Sequence, residues 1–161
     1  MTRVNGKGQK LKGPGRFYFF TFTFTLLPLA LALSACGHFM HPKASEYLKQ
    51  AQGSSGLETM INLTGMLERS VIATREADNF QAGLDDLHDQ LHALKKSFCL
   101  VTEAQATTPA YAKAVTIRQE MRTVFHRLWK YRSDPALRGS HLDLFATRVQ
   151  ELRDALQAVK G

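Results

Sequence analysis

The chain has 161 residues, enough for one ordinary domain and short of two. An apolar fraction of 44% is that of a globular protein and argues against disorder throughout. The formal net charge of +7 invites a nucleic-acid reading. However, Arg3, Lys7, Lys10, Lys12 and Arg16 supply five of those cations within the first 35 residues, where no acid occurs. From residue 36 onward, 16 Lys and Arg face 14 Asp and Glu, and that reading loses its support.

Residues 1–16 are basic and rich in Gly and polar side chains. Residues 17–35, FYFFTFTFTLLPLALALSA, carry no charge. A basic head, an apolar run and small residues at a boundary form the three-part pattern of a secretory signal. An uncleaved anchor would need about 20 apolar residues, and 17–35 nearly reaches that. The boundary is more specific: Leu33-Ser34-Ala35-Cys36 is an aliphatic residue, two small residues and a cysteine. This resembles the lipobox of bacterial lipoproteins. The resemblance implies that Cys36 is the lipid-attachment residue, joined through its sulfur to a diacylglycerol and left as the acylated N-terminus after cleavage. Small side chains at Ser34 and Ala35 suit a narrow protease site, and the Cys36 thiol is the strongest nucleophile nearby. Two or three acyl chains hold a domain firmly at a bilayer, where one chain is marginal. Lipoproteins that remain at the inner membrane often carry Asp after the cysteine. In an organism with two membranes, the same resemblance with Gly37 in that position favours the outer membrane, facing the periplasm.

Three segments are therefore expected: a signal peptide over 1–35, a lipidated N-terminus and tether over 36–55, and a helical domain over 56–161. Pro42 can open a short helix through KASEYLKQA, and QGSSG at 52–56 makes a flexible joint. Ser55 and Glu58 have capping-box spacing. Leu57, Met60, Ile61, Thr64, Leu67 and Val71 follow at helical spacing up to the break at 74–79. Asp78 and Gln81 offer a cap for the next helix. Its apolar positions Phe80, Leu84, Leu87, Leu91, Leu94, Phe98 and Val101 alternate steps of four and three, a heptad seam. Thr108-Pro109 opens a third helix with Ala114, Ile117, Met121, Val124, Leu128 and Tyr131 on its seam, widened by Phe125 and Trp129. Asp134-Pro135 and Gly139 predict a loop, with Ser140 capping a fourth helix through Leu142, Phe145, Val149, Leu152, Leu156 and Val159. Four helices of about 20 to 24 residues are roughly 30 to 36 Å long. Each carries one apolar stripe, and an all-α, antiparallel up-down-up-down four-helix bundle buries those stripes best.

Few residues suggest chemistry. His88 and His92 form an HxxxH pair on one helix face, a spacing at which two imidazoles can hold one metal. The heptad phase places His88 beside the core and His92 toward water, with no third ligand, so a solvated face is the favoured reading and no metal is expected. His38 and His41 lie in the tether and read as headgroup-level polar residues. No CxxCH attachment motif for haem occurs, and no cofactor is expected. The third helix is basic: Lys113, Arg118, Arg122, Arg127, Lys130 and Arg132 against Glu120 alone. Those charges either complement Asp85, Asp86 and Asp89 of the preceding helix or meet an anionic partner. With Cys36 lipidated, Cys99 is the one thiol left in an oxidising compartment. It reads as a thiol covered by packing or as the site of a disulfide-linked partner. No nucleophile–base arrangement or phosphate loop can be assembled. The expectation is a non-enzymatic, membrane-anchored envelope lipoprotein that docks other envelope proteins. The alternative is a lipoprotein binding a small ligand or metal in the bundle interior or on the His88/His92 face.

Overall fold

The structure, a computed structural model, describes residues 42–160. The signal segment, Cys36, His38 and His41 lie outside that range. All regular elements among the described residues are helical: α1 (Pro42–Gln50), α2 (Gly56–Glu76), α3 (Phe80–Ser97), a 3₁₀ turn (Phe98–Leu100), α4 (Glu103–Ala106), α5 (Pro109–Lys130) and α6 (Pro135–Lys160). None of these helices is long and apolar enough to cross a membrane. The all-α expectation holds for this part of the chain.

The caps explain most of the boundaries. The Ser55 hydroxyl accepts the Glu58 amide at 3.1 Å and opens α2. The Glu58 carboxylate turns back to the Ser54 amide at 2.8 Å, one residue earlier than a reciprocal box would have it. At α3 the cap is Asn79, not Asp78; its side-chain oxygen accepts the Ala82 amide at 3.2 Å. Thr108 caps α5 by accepting the Tyr111 amide at 3.2 Å, with Pro109 in the first turn. The fourth long helix starts earlier than expected. Asp134 Oδ1 accepts the Ala136 and Leu137 amides at 3.0 and 3.1 Å, so α6 begins at Pro135 and carries Gly139 inside it. Asp-Pro is itself a cap followed by a first-turn proline. A single interior Gly costs about 1 kcal/mol, which a long packed helix tolerates. The short α4, closed by a reciprocal box between Thr102 and Gln105, was not expected.

The seams form the core. Leu84, Leu87 and Leu94 of α3 are buried with Met121 and Leu128 of α5 and with Leu142, Phe145, Val149, Leu152 and Leu156 of α6. From α2 come Leu57, Met60, Leu67 and Val71, together with Leu63, which the stripe assigned from sequence omits. Helix α2 packs against α3 and α6, and α5 packs against α6. At the start of α2 the chain runs so close to the 3₁₀ turn that a Cβ on Gly56 would lie 2.1 Å from the Leu100 carbonyl oxygen.

The short helix expected to open at Pro42 forms as α1, and instead of lying in a flexible tether, residues 42–51 are part of this packed body. Helix α1 lies on α3. Its Ala44 is fully buried, as is Ala51 just beyond it, while Tyr47 and Leu48 pack against the core. The Ala51 carbonyl accepts the Asn62 side-chain amide at 3.0 Å. This docking gives α3 a second buried face. Asp89, Gln90, Ala93 and Ser97 are all buried, while Leu91, placed on the seam, is half-buried. Gln90 is only 2% exposed. It lies one step from the seam position Leu91, where a heptad repeat places solvent-facing residues.

Candidate functional site

Three places gather polar side chains. The first lies beneath α1 and was not visible in the sequence. Tyr47 donates its phenol proton to Asp86 Oδ1. Ser70 of α2 donates to Asp86 Oδ2 at 3.1 Å, and the Gln90 amide nitrogen reaches Ser70 Oγ at 2.6 Å and Asp86 Oδ2 at 2.8 Å. Three helices thus converge on one carboxylate. Burial, the hydrogen bond to Asp86 and the nearby charges of Asp86 and Asp89 push the Tyr47 phenol up to about 12. Gln90 Oε1 is buried with no partner among the described residues. A shallow cleft of about 240 Å³, lined by Tyr47, Met66, Arg69, Asp86 and Gln90 among others, opens beside the cluster. Every member of the cluster has an ordinary surface reading in sequence. Only the return of α1 onto α3 brings them together.

The second place is the basic helix α5. The complement expected from α3 does not form around Asp85 and Asp86. Asp86 is held in the cluster just described, and Asp85 accepts from Gln81 at 3.0 Å. Among the described residues, none of Lys113, Arg118, Arg122, Arg127, Lys130 and Arg132 makes an ion pair with a carboxylate. Glu120, the only acid of the helix, pairs instead with Arg148 of α6 at 3.2 Å. Three of the cations lie on aromatic rings: Arg118 over Phe98 at 4.7 Å, Lys130 over Tyr131 at 5.1 Å and Arg132 over Trp129 at 5.5 Å. Burial is the main influence lowering the Arg118 guanidinium pKa; the phenol of Tyr111 opposes it and Arg122 adds to it. Lys113, Arg122 and Arg127 are exposed. The exposed half of α5 thus carries cations, spread around it and not gathered in one stripe, that make no ion pair with a carboxylate among the described residues.

The third place is the histidine pair. His88 and His92 are both exposed, and their Nε2 atoms stand 3.2 Å apart. The His88 ring lies nearly parallel to Phe125, 5.7 Å away with 12° between planes, and 6.0 Å from Trp129. The expectation that His88 flanks the core is met through these α5 rings. Among the described residues no three His, Cys, Asp or Glu side chains converge on one point.

Cys99 departs from the packing reading. It is exposed and disulfide-bonded, and no described cysteine is a free thiol. The chain contains two cysteines, and Cys36 is the other. A sulfur held in a disulfide cannot also carry a thioether, so lipidation of Cys36 and a bond between Cys36 and Cys99 exclude each other in one molecule.

No family model matches this chain, and neither do any curated protein or solved structure. The residues themselves therefore carry the functional argument.

Proposed function

We propose that this chain is a lipid-anchored protein of the bacterial envelope, probing the periplasm from the outer membrane, whose helical domain is a non-enzymatic scaffold for an acidic envelope partner. Three features support the anchoring: the basic head, the uncharged run over 17–35 and the lipobox ending in Cys36; with Cys36 acylated, the Cys99 disulfide joins this chain to a cysteine of a partner. The observation that carries the docking role is the exposed half of α5, where Lys113, Arg122 and Arg127 have no carboxylate partner among the described residues. Complementary charge sets encounter rate and partner choice, so such a face selects an acidic surface. In this reading α2, α3, α5 and α6 form an up-down-up-down four-helix bundle. The three residues between α2 and α3 and the four between α5 and α6 are short enough to return each helix beside its predecessor. Helix α1 then serves as a clasp between bundle and anchor, through Tyr47 and Asp86.

Capture from solubilised envelope with the full lipidated protein tests the docking role, with the Arg122→Glu/Arg127→Glu variant alongside. Both residues are exposed, so the variant keeps its fold, and it should lose a partner that the unaltered protein retains. Equal recovery of the same proteins by both would remove the basic face from the mechanism.

A further inference from the structure

We propose that His88 and His92 form a two-point chelate for a divalent transition-metal ion of borderline softness, Cu²⁺ or Zn²⁺, with solvent supplying the remaining ligands. This inference does not depend on the scaffold reading.

Residues four apart on a helix share a face, and here both imidazoles present the same nitrogen, Nε2, to each other, 3.2 Å apart in a hydrogen-bonding contact. Two ring nitrogens at that distance meet through a shared proton or through a metal. At the Zn–N bond length of about 2.0 to 2.1 Å, a separation of 3.2 Å corresponds to an N–metal–N angle of about 100 to 106°, near the tetrahedral value. The ring planes stand at 87° to one another, so the two donors do not stack face to face. His88 is braced: its ring packs against Phe125 and lies beside Trp129, which limits the rotamer freedom lost on binding. Both histidines are exposed, which leaves an entry path and room for water ligands. Imidazole suits Cu²⁺ and Zn²⁺, and the general order of divalent affinities places Cu²⁺ highest.

The protein contains its own reporter. Trp129 is the single tryptophan of the chain, and its ring centroid lies 6.0 Å from that of His88. Bound Cu²⁺ is paramagnetic and quenches a nearby indole. Chelator-stripped full-length protein is therefore titrated with Cu²⁺ while Trp129 emission is followed, then back-titrated with Zn²⁺. Saturable quenching at one equivalent is expected, reversed by excess Zn²⁺. His88→Asn and His92→Asn should each weaken it by tenfold or more, whereas His126→Asn, an exposed change on α5, should leave it unaltered. Both histidines are surface residues, so the variants fold, and circular dichroism verifies this. Quenching that persists in both single variants would assign the copper to another site and overturn the proposal. Absence of saturable quenching in the unaltered protein would reduce the pair to a proton-sharing contact and overturn it equally.

Discussion

Gln90 gives the sharpest test of the packing. Its pattern position is that of a surface residue, yet it is buried under α1, with its amide nitrogen 2.6 Å from Ser70 Oγ and 2.8 Å from Asp86 Oδ2. Replacing it by Ala removes one neutral hydrogen bond, worth about 0.5 to 1.5 kcal/mol, and one to a carboxylate, worth about 1.5 to 3 kcal/mol. It also removes the buried, unpartnered Oε1, whose desolvation penalty of about 1 to 3 kcal/mol is returned. The balance is a loss of about 1 to 2 kcal/mol. For a domain of this size that lowers the melting temperature by roughly 3 to 10 °C. Gln150→Ala is the matched control: Gln150 is exposed on α6, bonds Asp154 one turn away, and should change stability by less than about 0.5 kcal/mol. Thermal melts followed by circular dichroism compare the two. Indistinguishable melting points would show that α1 does not cover α3 in solution and would refute the two-faced burial of that helix.

Gly56→Ala places a methyl group against the Leu100 carbonyl, so one of two backbones must move. A loss of about 1 to 3 kcal/mol in denaturant unfolding is expected, and an unchanged midpoint would contradict the close approach. Tyr47 carries a pH signature. Its folded pKa is raised from 10.0 to about 12, so the phenol's contribution is fully present below pH 10 and is lost as pH rises from 10 through 12. The gap in melting temperature between the unaltered protein and Tyr47→Phe should narrow across that window; a constant gap would dismiss the Tyr47–Asp86 contact. Finally, Cys36→Ala should abolish incorporation of a labelled fatty acid. Undiminished label would sink the lipobox reading, and unlabelled native protein with Cys36 bonded to Cys99 would replace it with the disulfide.

The sequence alone determined the helical class and the stripes that make the core. Heptad spacing reports which residues share a helix face, and Leu84, Leu87, Leu94, Met121, Leu128, Phe145 and Leu152 all proved buried. It also located the Ser55 and Thr108 caps, because capping needs only local hydrogen bonds. The start of α6 was missed because Asp-Pro followed by Gly carries both loop and cap signals, and the cap prevailed. What the tertiary structure decided is where the polar residues went. Asp86, Asp89 and Gln90 look like a solvated face until α1 docks there. Residues some twenty to forty positions apart then share one hydrogen-bonded cluster. Asp86 lies on the side of α3 that meets α1 and α2, while His88 meets the α5 rings, so Asp86 forms no ion pair with the basic helix. One amphipathic period describes one buried face per helix. A second face covered by a distant short helix has no periodic signal of its own, so only the fold reveals it.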